Sequence, residues 1–205
     1  MNEKNDTAQA LLDAATELFV YQGYDATSVR AITQKANANL GAITYHFGSK
    51  DALVEAVVAS VAEPVIELFT EVASAESSPL DRIENLVRQI FSHFRENPHL
   101  PRLLSQHFAG SRPLPETGRS AMRTNISTLA TLIREGQLDG TIRSGPPHLL
   151  AISVGSQPMW MTLAQQALLE GTGLDQSDSE TFEQVVESVV QFVRSGLQKL
   201  PESQE

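Results

Sequence analysis

The stretch Thr27-Ser28-Val29-Arg30-Ala31-Ile32-Thr33-Gln34-Lys35-Ala36-Asn37-Ala38-Asn39-Leu40-Gly41-Ala42-Ile43-Thr44-Tyr45-His46-Phe47-Gly48-Ser49-Lys50 decides the fold. Apolar positions recur at helical spacing on both sides of Asn37-Ala38-Asn39: Val29, Ile32 and Ala36 before it, Leu40, Ile43 and Phe47 after it. Each set marks the inward face of a short helix. Thr27 or Ser28 supplies the cap of the first helix. Two helices packed this closely need a tight turn with positive φ, and Asn37 is among the few non-glycine residues that enter the left-handed region cheaply. Asn39 is placed to cap the second helix through its side-chain oxygen, and Gly48-Ser49 ends that helix and caps another at Ser49.

Outward from this pair the pattern stays helical, and strand signals are weak throughout. Ala8, Leu11, Leu12, Ala15, Leu18 and Phe19 predict a first helix from about 7 to 22, with Asp6 or Thr7 as cap and Gly23 as stop. A fourth helix is predicted from Lys50 to about Ala73, kinked at Pro64. Pro79 starts a fifth; Pro98 and Pro101 open a sixth, which Gly110 ends; a seventh spans Glu116 to Leu138. After a turn at Asp139-Gly140, an eighth is expected from Pro146 to about Leu169, bent at Pro158, and a ninth from about Asp178 to Lys199. The expectation is an all-α chain of about nine helices, with a three-helix N-terminal domain over 1–49 and a helical body over 50–205 joined through the fourth helix.

Composition bounds the chemistry. The 205 residues are 41% apolar and 20% charged, as in ordinary globular proteins. With no cysteine, a disulfide framework, a Cys-ligated zinc and a thiol nucleophile are excluded. No apolar run approaches the ~20 residues that span a bilayer, and Met1-Asn2-Glu3-Lys4-Asn5-Asp6 lacks the basic start of a signal peptide, so a cytoplasmic location is expected. The net charge of -10 is unevenly spread: Ala26 to Lys50 holds Arg30, Lys35 and Lys50 and no acid. A small cationic patch on an acidic body suits site-specific contact with nucleic acid and discourages adventitious contact.

The motifs Leu18-Phe19…Gly23-Tyr24, Thr27-Ser28-Val29-Arg30-Ala31-Ile32 and Gly41-Ala42-Ile43-Thr44-Tyr45-His46-Phe47-Gly48-Ser49-Lys50-Asp51-Ala52-Leu53 resemble the tetracycline-repressor (TetR) family of bacterial transcriptional regulators. The likeness covers roughly residues 7–60. Asn37 stands where that family usually has Gly, and Thr44 where it often has an aromatic residue. The resemblance implies a helix-turn-helix reader of double-stranded DNA with a palindromic operator. Arg30 would then meet a phosphate or a base, Tyr45, His46 and Lys50 would meet mainly phosphates, and Thr27 or Ser28 would add uncharged anion contacts. Base reading would fall to Asn39, Leu40, Gly41, Ala42 and Thr44.

A reader with so few cations binds weakly alone, so two copies at half-sites are expected. The last helix carries Phe182, Val185, Val186, Val189, Val190, Val193, Leu197 and Leu200 at 3 and 4 spacing. This stripe either packs within one subunit or, as the resemblance implies, joins the preceding helix in a homodimer interface. The resemblance further implies a small-molecule effector in the body, with Phe69, Phe91, Phe94, His107, Phe108, Met122, Met159 and Trp160 as its expected lining; core packing is the competing role for each. No cofactor, metal or membrane is expected. Two rival readings are a helical regulator acting by protein contact, and an enzyme using His93, Glu96, His99 and His107. The Asn97-Pro98 break separates the first two of these from the others and argues against a catalytic or metal cluster.

Overall fold

The computed structural model describes residues 3–109 and 113–199, with the side chains of 3, 4 and 106–109 outside that description. Ten helices occupy the described residues: α1 Glu3–Gln22, α2 Val29–Lys35, α3 Ala42–Phe47, α4 Lys50–Ser74, α5 Pro79–Glu96, α6 His99–Ala109, α7 Glu116–Leu138, α8 Pro147–Leu163, α9 Gln165–Thr172 and α10 Ser179–Leu197. The chain forms two compact units, residues 1–64 with 102–121, and residues 65–101 with 122–205. The unit that holds the helix-turn-helix is therefore larger than 1–49, since it takes in the first part of α4 and the chain around the start of α7.

In the first unit Leu11, Ala15 and Phe19 of α1, Ile32 of α2, Ile43 of α3 and Leu53 and Val57 of α4 are buried. These are the apolar positions whose spacing marks the helices. Ser28 caps α2, its Oγ accepting from Ala31 N at 3.0 Å, and Ser49 Oγ accepts from Ala52 N at 3.0 Å at the start of α4. α1 begins at Glu3, so Asp6 and Thr7 lie inside it rather than capping it. α4 continues through Pro64. The first backbone N–H groups of a helix have no partner inside it. At α7, Glu55 of α4 supplies one: its carboxylate accepts from Glu116 N at 3.0 Å and Thr117 N at 3.1 Å.

The second unit buries one continuous core that includes Ile83, Leu86, Val87, Ile90 and Phe91 of α5, Leu132 and Ile133 of α7, Leu150 and Val154 of α8, and Val185, Val189, Val190 and Val193 of α10. Asp178 caps α10 by accepting from Thr181 N at 2.9 Å, and Arg194 near its end meets Glu84 and Asp81 of α5. The expected eighth helix is two, divided at Ala164, whose φ of -86° and ψ of 0° end the α8 hydrogen-bond series. Pro158 lies buried within α8. The valines of the α10 stripe are buried inside the single chain, so intrachain packing takes these side chains.

Candidate nucleic-acid interface

α2 and α3 are held by a turn at Asn37, whose φ of 51° is positive. Asn37 N donates to Gln34 O at 3.2 Å and Ala38 N to Thr33 O at 2.8 Å, which closes α2 and redirects the chain. α3 then begins without a side-chain cap. Its N-cap is Gly41, and Ala42 N is satisfied by the backbone oxygen of Asn39 at 3.0 Å, so the expected side-chain cap from Asn39 is replaced by a backbone one. The Asn39 amide is left on the exposed surface.

The expected contact residues divide by burial. Ser28, Arg30, Asn39, Gly41 and Thr44 are exposed, with Leu40 at 64% and Tyr45 at 66%. His46 and Lys50 are half-buried. Two expectations are corrected. Thr27 is only 1% exposed, and its hydroxyl donates to Gly23 O at 2.7 Å, so it ties α2 to the end of α1 instead of facing a phosphate. Ala42 is buried beside Ile43, which removes it from base reading. Leu40, whose spacing suggested an inward position, faces outward, because the chain at 40–41 is still in a turn and its register differs from that of the helix.

The cations are not equally placed. Lys35 Nζ pairs with Glu17 at 2.7 Å. Lys50 Nζ donates to Tyr24 O at 2.7 Å and lies 3.8 Å from the centroid of the Tyr24 ring, while the Tyr24 hydroxyl donates to Asp51 at 2.5 Å. Lys50 thus links the start of α4 to the turn after α1. Tyr24 and Asp51 were not among the expected functional residues; their pairing spans 27 positions and leaves no local signal. Tyr45 and His46 pack edge to face at 4.9 Å.

In the second unit Phe69, Phe91 and Phe94 belong to the buried core, and Met159 packs against it half-buried. Trp160 is 65% exposed and Met122 45%, so neither side chain lies among the buried side chains of its unit, contrary to their expected place in a ligand lining. The side chains of His107 and Phe108 lie outside the described residues. Burial holds the pKa of His93 below the ordinary imidazole value, with His99 acting in the same direction and Glu96 against them. Among the described residues no group of three His, Asp or Glu side chains is placed to hold a metal ion, and no helix is long and apolar enough to cross a membrane.

Among the described residues, two short helices joined by a left-handed turn within an otherwise helical fold define a helix-turn-helix. The family model described as "Bacterial regulatory proteins, tetR family" matches residues 11–57. It is 38% identical over 73 residues to the HTH-type transcriptional repressor Rv3405c of Mycobacterium tuberculosis, a match covering 36% of this chain and 39% of that protein. Over 200 residues it is 26% identical to the HTH-type transcriptional regulator RutR of Escherichia coli, covering 92% of this chain and 89% of RutR. Its fold is similar to that of SmeT, the repressor of the Stenotrophomonas maltophilia multidrug efflux pump SmeDEF. The TM-score is 0.71 at 17% identity, over 97% of this chain and 96% of SmeT.

Proposed function

We propose that the protein is a homodimeric, sequence-specific regulator of transcription, most simply a repressor, that binds a palindromic operator and is released by a small-molecule effector. The observation that carries this reading is the outward face of Asn39, Leu40, Gly41, Thr44 and Tyr45, presented on a turn fixed by Asn37 with Arg30 exposed on the neighbouring helix. Polar and apolar groups at the start of a second helix, flanked by a cation, suit a helix laid into the major groove. The names of Rv3405c and SmeT, both called repressors, support the sign of control.

The dimer surface we assign lies on α8 and α10. Leu149 is 61% exposed, Trp160 65% and Phe192 66%, with Ile152 and Leu163 beside them. On α8 these positions share one face, where Ser153 and Ser156 permit close approach. Large apolar side chains left in water on adjacent helices mark an interaction surface. α4, which begins at Lys50, is the element proposed to transmit effector binding; an effector shifts the equilibrium only by favouring one spacing of the two readers. Its lining is proposed from Phe69, Phe91, Phe94 and Met159.

Selection of bound duplexes from random DNA, with and without candidate small molecules, tests the reading. The expected product is a two-fold symmetric site with half-sites about 34–36 Å apart or a multiple of that spacing. Enrichment of no sequence, or of a single asymmetric half-site, counts against it.

A further inference from the structure

From Ala36 to Ser49 the chain contains no Lys, Arg, Asp or Glu. The exposed side chains of this stretch include an amide at Asn39, an aliphatic branch at Leu40, a hydroxyl and methyl at Thr44 and a phenol at Tyr45, while Ala42 and Ile43 are turned inside. Gly41 contributes by omission. A Cβ there would meet only Asn39 Oδ1, at 3.6 Å, so the backbone lies open to an approaching base edge.

The major groove gives each base pair a different demand. Guanine offers two acceptors, N7 and O6, best met by a two-donor cation, and cytosine offers an N4 donor met by a carboxylate. Neither partner exists on this face. Adenine sets acceptor N7 beside donor N6, which one amide group satisfies, and thymine adds a C5 methyl that favours apolar surface. We infer that the base pairs facing residues 39–44 are A·T and T·A, with Asn39 reading adenine and Leu40, together with the Thr44 methyl, reading thymine methyls. The nearby cations do not alter this. Lys35 is paired with Glu17 and Lys50 is drawn onto Tyr24, so any guanine contact falls to Arg30 on α2, outside the 39–44 face. The inference rests on the DNA-binding reading above and specifies its partner.

The test uses the full-length protein and its selected operator, with base analogues placed one position at a time. Uracil in place of thymine deletes only the methyl, and roughly a fourfold loss is expected per methyl contacted. Replacing the contacted adenine with 7-deazaadenine is expected to cost at least about fivefold. Leu40→Ala should abolish the uracil penalty and Asn39→Ala the deazaadenine penalty; both side chains are exposed, and circular dichroism checks that each variant folds. Two results overturn the inference while leaving DNA binding intact: G·C pairs enriched opposite 39–44, or 7-deazaguanine losses that persist in Arg30→Ala while uracil has no effect. Selection that enriches no sequence removes the DNA-binding reading, and this inference with it.

Discussion

Two neighbouring hydroxyls take different places in the N-terminal unit. Thr27 and Ser28 are neighbours, yet Thr27 is buried on Gly23 O while Ser28 is exposed at the start of α2. Thr27→Val leaves that carbonyl short of its donor and is expected to lower stability by about 1–2 kcal/mol in urea unfolding without changing the salt dependence of DNA binding. Arg30→Ala should do the reverse. The plot of log affinity against log salt is expected to flatten by about 0.9, the value of one phosphate contact, at unchanged unfolding midpoint. An unchanged slope in a folded variant removes Arg30 from the backbone contacts. Asn37 was legible at this scale because a left-handed turn restricts the residue that occupies it, whereas the burial of Thr27 was not, since either hydroxyl satisfies the same capping pattern.

At the scale of helices, spacing reports that a face is buried but not what buries it. The α10 valines are the instructive example: their periodicity was plain in the sequence, and their burial is completed within the chain by α5 and α8. Val189→Asp is therefore expected to place an unpaired charge in the core and unfold the second unit, whereas Leu149→Glu on α8 should give folded monomers in sedimentation, with native circular dichroism. A normal dimer from Leu149→Glu would reject the assigned surface. The division of α8 from α9 at Ala164 left no mark in the sequence, because Leu163-Ala164-Gln165 contains no helix breaker. Glu55 was equally hidden, its partners lying 61 and 62 positions away.

Glu55 also carries a pH signature. Burial opposes its ionisation, but hydrogen bonds from Thr117 and Glu116, with the nearby Arg119, outweigh that and hold its pKa below the ordinary carboxylate value. A depressed folded-state pKa contributes stability at and above the ordinary glutamate range, and the contribution is lost as pH falls through the depressed value. Glu55→Gln should lose more stability at neutral pH than in acid, so that urea midpoints of the two proteins converge below about pH 4. A constant difference across the range would rule out the charge of Glu55 as the source.

For the whole molecule, the single tryptophan is a reporter of association. Trp160 is on the exposed α8 face, so its emission is expected to move to shorter wavelength as the protein concentration rises through dimer formation, and to stay at long wavelength in Leu149→Glu. Emission that ignores a dissociation visible in sedimentation would place the interface elsewhere. The fold class and the left-handed turn at Asn37 could be read from the sequence because they depend on local periodicity and on residues adjacent in the chain. The partition into two units could not, since the first unit recruits residues 102–121 from far along the sequence.

The neutral face proposed to read DNA has a consequence for how such a protein finds its target. Attraction to DNA of any sequence grows with the number of phosphates neutralised, and a genome offers roughly a million to a billion competing positions. A chain with a net charge of -10 and an uncharged face from Ala36 to Ser49 has little hold on those decoys. Under the proposed function, fewer copies would be sequestered at wrong addresses, so a small cellular stock would maintain occupancy of the right one, and a modest loss of affinity on effector binding would be enough to empty it.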